Sequence, residues 1–238
     1  MKKKIRLLFG LAALLCLSLC TTVFANSNGE HVNKDNSSKS YVLCIGDSRT
    51  LGLAECDKQN FAGKNEPVFS YNATVGAHYV NNKCWVTGKW KNTPMVINAS
   101  KYEKQQTAIV KNILKKHGKC IVVICGTDND GGLKGWASKS ADGMVDLYKA
   151  IRKVSVNGKK ATVYFTNAVP ALDEDKDVKD LNKAITKAAG KHGIKVIDLK
   201  ASSKTWKKYY SGDDDHFKKS GSKKLKQIIL AGIGGKAK

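Results

Sequence analysis

The chain has 238 residues, 42 of them Lys or Arg against 20 Asp or Glu, for a formal charge of +22. At 42% hydrophobic content, this length suits one domain with a sizeable core and excludes a disordered or fibrous chain. The lysines are scattered and lack the interleaved aromatics of a nucleic-acid-binding face, so nucleic acid is not an expected partner.

The first residues read as a targeting segment. Lys2, Lys3, Lys4 and Arg6 form a positive head, Leu7 to Cys20 is apolar, and Val23-Phe24-Ala25 sets small residues before a cut after Ala25. The expectation is a signal peptide over 1–25 and a secreted or envelope-associated protein. The uncharged stretch from Leu7 to Ala25 is 19 residues, so an uncleaved anchor is the alternative. Loss of the four basic residues lowers the formal charge from +22 to +18. Attraction to anionic cell-envelope polymers follows from that charge, and a plainly solvated lysine-rich surface accounts for it equally. Residues 26–40 are polar and poor in large apolar side chains, which predicts a flexible leader before a single domain over 41–238.

Five β-type runs follow: Tyr41–Ile45, Val68–Tyr71, Cys120–Cys125, Ala161–Thr166 and Ile194–Leu199. Their near-continuous apolar character is that of strands covered on both faces. Helical periodicity separates them over 102–117, 144–154, 178–192 and 218–230. This alternation predicts an α/β fold, a three-layer α/β/α sandwich around a flavodoxin-like, doubly wound parallel sheet of about five strands. Residues 78–100, with Tyr79, Trp85 and Trp90 among polar neighbours, break the rhythm and suggest a β-hairpin insertion. Cys44, Cys120 and Cys125 lie in apolar runs and read as core residues, whereas Cys56 and Cys84 fall in loops where an extracellular disulfide is conceivable. No cysteine spacing resembles a zinc site.

Sharp turns close the first three strands: Gly46-Asp47-Ser48, then Thr74 to Ala77, then Gly126 to Gly132. A fourth, Ser211-Gly212-Asp213-Asp214-Asp215-His216, precedes the last helix. A doubly wound sheet gathers such turns at the carboxyl ends of its strands. Acyl transfer needs these parts: a hydroxyl, an imidazole to take its proton, and a carboxylate to hold one tautomer. Asp213 and His216, three apart, suit the last two roles. Backbone N–H groups of Ser48 and Gly76 and the amide of Asn129 suit an oxyanion hole. The competing reading of the aspartate run is a cation site, which adjacent carboxylates serve poorly because they diverge. His78, His117 and His192 have no such neighbours and read as structural or solvent-facing.

These blocks resemble, in order, those of the SGNH (GDSL-type) esterase and acylhydrolase superfamily. "IGDSRT" looks like the nucleophile block with Ser48 as nucleophile. "ATVGA" looks like the glycine block with Gly76 as oxyanion donor, and "DDDHFKKSG" matches the Asp-x-x-His block with Asp213 and His216. The third block reads "CGTDND" where the family has Gly-x-Asn-Asp. Aligned from Gly126, Asp128 takes the amide's place; with one extra loop residue, Asn129 supplies the amide, the reading adopted here. The resemblance spans about Tyr41 to Ile233 and implies a serine esterase without cofactor or metal. Its expected substrate is a small acyl ester or acylated glycan, O-acetyl on a carbohydrate above all. A lipid acylhydrolase, a thioesterase, or a catalytically impaired glycan- or envelope-binding module are the alternatives. Trp85 is the candidate for stacking on a sugar, and Arg49 either contacts a substrate carboxylate or braces the nucleophile loop.

Overall fold

The computed structural model describes residues 32–34, 37–38, 40–57, 69–73, 84–90, 93–97, 99–128, 137–172 and 175–235. The expected signal peptide lies outside them. Among the described residues no helix is long and apolar enough to cross a membrane.

The strands among the described residues are β1 (Val32–Lys34), β2 (Val42–Gly46), β3 (Phe69–Ala73), β4 (Cys84–Trp90), β5 (Thr93–Ile97), β6 (Ile121–Ile124), β7 (Thr162–Thr166) and β8 (Lys195–Ile197). Helices are α1 (Ser48–Asp57), α2 (Ala99–His117), α3 (Ala137–Lys153), α4 (Asp175–Lys191), the single turn α5 (Ser203–Trp206) and α6 (Lys219–Gly232). The main sheet runs β1-β3-β2-β6-β7-β8. Its last five strands are parallel, with β2 hydrogen-bonded to both β3 and β6. Counted among themselves, they follow the doubly wound order 2-1-3-4-5, whose switch point falls between β2 and β6. All five expected strands are present.

Beside the single turn α5, β1 and α1 go beyond the expectation. β1 pairs antiparallel with β3, Val32 opposite Ala73, so part of the expected flexible leader is an edge strand. Edge pairing draws on backbone groups, which a polar sequence supplies as well as an apolar one. Helix α1 escapes pattern reading because Ser48, Thr50 and Gly52 are weak helix formers. Its start is fixed by an N-cap, Asp47 Oδ1 accepting from Arg49 N–H at 3.0 Å. Its Leu53 is buried against the sheet. The insertion expected over 78–100 contains the antiparallel pair β4–β5.

Side-chain alternation on β2 builds both core layers. Leu43 and Ile45 face one way, with Ile113, Met144, Phe165, Leu181 and Ile185. Val42 and Cys44 face the other, with Leu53, Val123, Trp206, Leu225 and Ile229. Helices α2, α3 and α4 therefore cover one face, and α1 with α6 the other. Cys44, Cys120 and Cys125 are buried thiols, as core residues should be. Burial pushes the Cys120 thiol up to about 12, which keeps it a protonated packing group. The side chains of Cys56 and Cys84 lie outside the described residues.

Close backbone approach after β6 requires a glycine. A Cβ built on Gly126 would lie 2.8 Å from Ala168 N and 2.9 Å from Thr166 O, both main-chain atoms. Gly126→Ala is expected to destabilise the fold by about 1–3 kcal/mol, seen as a lower urea midpoint at unchanged slope.

Candidate active site

Ser48 stands where β2 ends at the switch point, as the first residue of α1. Its N–H is among the four that a helix leaves without intrahelical partners, in the positive field of the helix end. Gly46 makes the turn possible: a Cβ there would fall 2.1 Å from Thr50 Oγ1 and 3.1 Å from Cys125 Cβ.

The partners arrive from the far end of the chain. Tyr210 and Phe217 form an antiparallel bridge that closes the loop between them. Ser211 N–H donates to the His216 carbonyl at 2.6 Å, and Leu172 N–H donates to Asp214 O at 2.8 Å. Asp214 adopts φ 59°, a left-handed turn that aspartate tolerates better than most residues. The loop thereby brings His216 Nε2 to 3.1 Å from Ser48 Oγ, across 168 residues of sequence. On the other side of the ring, Nδ1 meets Asp213 Oδ2 at 2.7 Å.

Asp213 is well supplied with donors. Its Oδ1 accepts from the Ser211 hydroxyl, from His216 N–H at 2.9 Å and from Asp215 N–H at 3.2 Å. Partial burial opposes its ionisation, but these bonds and the imidazole outweigh it and hold the carboxyl well below the usual range. A carboxylate lowered in this way stabilises the fold above its ordinary 3.8, and the contribution is lost as pH falls through the folded value. The stability advantage of the native chain over Asp213→Asn should therefore shrink on acidification below 3.8, measurable by urea unfolding across pH.

Arg49, the residue after the serine, is turned inward. It is 8% exposed. Nη2 lies 2.7 Å from Asp128 Oδ2 and 3.0 Å from Asp215 Oδ1. Nε donates to the Asp215 carbonyl at 3.1 Å and Nη1 to the Val169 carbonyl. The guanidinium also sits 4.8 Å from the Phe217 ring centroid. Of the two roles expected for Arg49, this geometry is that of a brace, its donors spent on the protein's own oxygens. Burial disfavours its charge, but Asp128, Asp47 and Asp215 more than offset this. Burial likewise raises the Asp128 carboxyl, which Arg49 pulls back down while Asp47 and Asp215 push it up.

Of the expected oxyanion donors, Ser48 is placed at the helix start, while Gly76 and Asn129 lie outside the described residues. So do His78 and the Trp85 side chain. Two carboxylates of the aspartate run have different anchors, Asp213 Oδ1 the loop's own donors and Asp215 Oδ1 the guanidinium of Arg49. Among the described residues no group of three or more His, Cys, Asp or Glu side chains is arranged to hold a metal ion. His117 Nε2 bonds the Ser37 carbonyl at 2.8 Å, a structural contact, and His192 is solvent-facing beside Tyr148. The cluster of buried Arg49 and Asp128 with half-exposed Asp215 is what sequence reasoning does not reach. Its one signal is the unusual aspartate in "CGTDND", which pairs with the arginine.

Sheet order, the nucleophile turn and the late Asp-x-x-His loop are those expected of a GDSL-type hydrolase on an α/β fold. The sequence profile of the GDSL-like Lipase/Acylhydrolase family matches residues 44–224, and the chain belongs to that family, an ester-hydrolysing enzyme. Comparison with curated proteins finds no significant sequence match. Similar solved structures include the lipase Lip_vut3 from a goat rumen metagenome, at 15% identity and TM-score 0.55, covering 82% of this chain and 98% of that one. The acetylxylan esterase Axe2 from Geobacillus stearothermophilus is similar at 12% identity and TM-score 0.54, covering 83% and 95%. The psychrotrophic esterase EstA from Pseudoalteromonas sp., solved with monoethylphosphonate as inhibitor, gives 12% identity and TM-score 0.54, covering 81% and 96%. At these identities the likeness is one of fold.

Proposed function

We propose that the protein is an exported serine esterase that removes small O-acyl groups, O-acetyl foremost, from a carbohydrate. The observation that carries this reading is the continuous relay of Asp213, His216 and Ser48, with links of 2.7 and 3.1 Å. His216 Nε2 takes the proton as Ser48 Oγ attacks the ester carbonyl. Asp213 holds the ring with its proton on Nδ1 and stabilises the imidazolium that forms. The oxyanion is received by Ser48 N–H, together with Gly76 N–H and the Asn129 amide. The imidazolium then protonates the leaving alcohol, and a water molecule deprotonated by the same nitrogen releases the acid from the acyl-enzyme. Aiming the Asp128 carboxylate at Arg49 removes it as a competitor for the oxyanion position.

The acetyl-carbohydrate assignment is supported by the signal-peptide-like start of the chain and by the fold it shares with an acetylxylan esterase. A wide groove of about 810 Å³ supports an anionic polymer in particular. Its lining includes Lys179, Lys183 and Lys187, spaced four apart on one face of α4, and Lys200 after β8, with Asp175 and Asp198 as its carboxylates. Leu172, two residues after Pro170 in this groove's wall, is bonded to Asp214 of the His216 loop.

The test is acetate release from O-acetylated glycans by the purified chain, beside p-nitrophenyl esters of increasing acyl length. Acetyl should be preferred. A preference for long acyl chains would point to lipid acylhydrolase action, and glycan binding without turnover to a non-catalytic module. KM for an acidic acetylated glycan should also rise with added salt and in Lys179→Glu/Lys187→Glu, while a neutral glycan's KM stays insensitive to salt.

A further inference from the structure

Two carboxylates face the same imidazole nitrogen. Asp213 Oδ2 lies 2.7 Å from His216 Nδ1, and Asp215 Oδ2 lies 3.7 Å from it. The Asp-x-x-His spacing favours Asp213, but "DDDH" does not by itself exclude Asp215, since both are a short loop away from the ring. Their other contacts differ. Asp213 Oδ1 is held by the loop's own donors. Asp215 Oδ1 is held by Arg49 Nη2 at 3.0 Å, and its carbonyl takes both Nη2 and Nε of the same guanidinium at 2.8 and 3.1 Å. Arg49 is anchored in turn by Asp128 at 2.7 Å and by the Val169 carbonyl.

We infer that Arg49 is a positioning residue that selects the aspartate orienting His216: by clamping the carboxylate and carbonyl of Asp215 it keeps that side chain off Nδ1 and leaves the place to Asp213. The planar fork is what the task needs. One guanidinium meets two carbonyls, two carboxylates and a ring face in fixed directions, which an ammonium cannot do. Asp128 has a defined part in this scheme, since it holds the fork from the β6 side. The unusual aspartate of the third block and the arginine of the first are thus two halves of one device. If the clamp is released, Asp215 competes for Nδ1 and the ring tilts away from the line to Ser48. A misplacement on the scale of 1 Å costs on the order of 100-fold in rate.

This inference rests on the Ser48–His216–Asp213 reading, and the experiment separates the two. Arg49→Lys retains the positive charge among Asp47, Asp128 and Asp215 while losing the fork. It should lower kcat by about 100-fold with little change in KM. Adding Asp215→Asn in that background removes the competing carboxylate and should recover about tenfold of the loss, which a merely structural arginine would not produce. A double variant no faster than Arg49→Lys, with Ser48→Ala inactive, overturns the inference and spares the relay. Turnover retained in Ser48→Ala overturns both. Proton NMR of the His216 Nδ1–H gives a readout independent of turnover: one downfield signal in the native chain, broadened in Arg49→Lys and sharpened again in the double variant. Asp128→Asn, which keeps the guanidinium but frees it on one side, should broaden the same signal to a smaller extent. An Nδ1–H signal unmoved in both Arg49→Lys and Asp128→Asn would also overturn it.

Discussion

Ser48→Ala is expected to lower kcat for p-nitrophenyl acetate by at least about 10⁴-fold while leaving the folded state almost unaltered. The replaced atom is one hydroxyl oxygen at the rim of the sheet, with His216 Nε2 at 3.1 Å. The helix that Ser48 begins keeps its N-cap, because that bond runs from Arg49 N–H to Asp47. Alanine at the first helical position adds no bulk and breaks no backbone bond. Thermal melting should therefore move little while turnover falls to what the oxyanion donors and bound water achieve unaided. Acyl-enzyme trapping by mass spectrometry supplies the companion measurement, since the adduct seen with the native chain must vanish. Undiminished hydrolysis by Ser48→Ala would rule out Ser48 as the nucleophile.

Asp213→Asn should produce a loss of comparable order, about 10³–10⁴-fold, through the imidazole tautomer. The introduced amide would keep one oxygen to accept from the Ser211 hydroxyl and from the N–H groups of Asp215 and His216. It would then present its NH₂ group to Nδ1. A neutral imidazole facing a donor at Nδ1 carries its proton on Nε2, where it cannot accept the Ser48 proton. Turning the amide the other way restores the tautomer but strands the two backbone donors of the loop. Either arrangement penalises the reaction, the first in kcat and the second in stability as well. The kcat loss should exceed that of Asp215→Asn, since Asp215 is the carboxylate held away from the ring. Equal losses at the two positions would mean that the aspartates share the role.

The brace on the nucleophile loop also explains the unusual third block. With an aspartate aligned to the position of an oxyanion amide, the sequence suggests repulsion of developing negative charge. In three dimensions the Asp128 carboxylate points at Arg49, 2.7 Å away, in a pocket where burial and a cation set its charge state. A residue that looks like a defect in one dimension is half of an ion pair whose other half lies 79 positions earlier.

Much of the architecture is readable from pattern. The apolar runs at Tyr41–Ile45, Cys120–Cys125 and Ala161–Thr166 stand out because a central parallel strand is covered on both faces and so excludes polar residues. Ser48, Asp213 and His216 are legible because acyl transfer needs a few specific side chains in turns that follow strands. Helix α1 is not, since a cap at Asp47 and the packing of Leu53 make a helix of residues with weak propensity. Strand β1 is not, since its pairing draws on main-chain atoms that every sequence has. The direction of Arg49 belongs to the same class. Local composition determines periodicity, capping and the inventory of reactive groups, all of which act over a few residues. Which carboxylate faces which cation, and what holds the second aspartate of the loop, is decided by contacts between segments far apart in the chain, and only the folded arrangement brings those segments together.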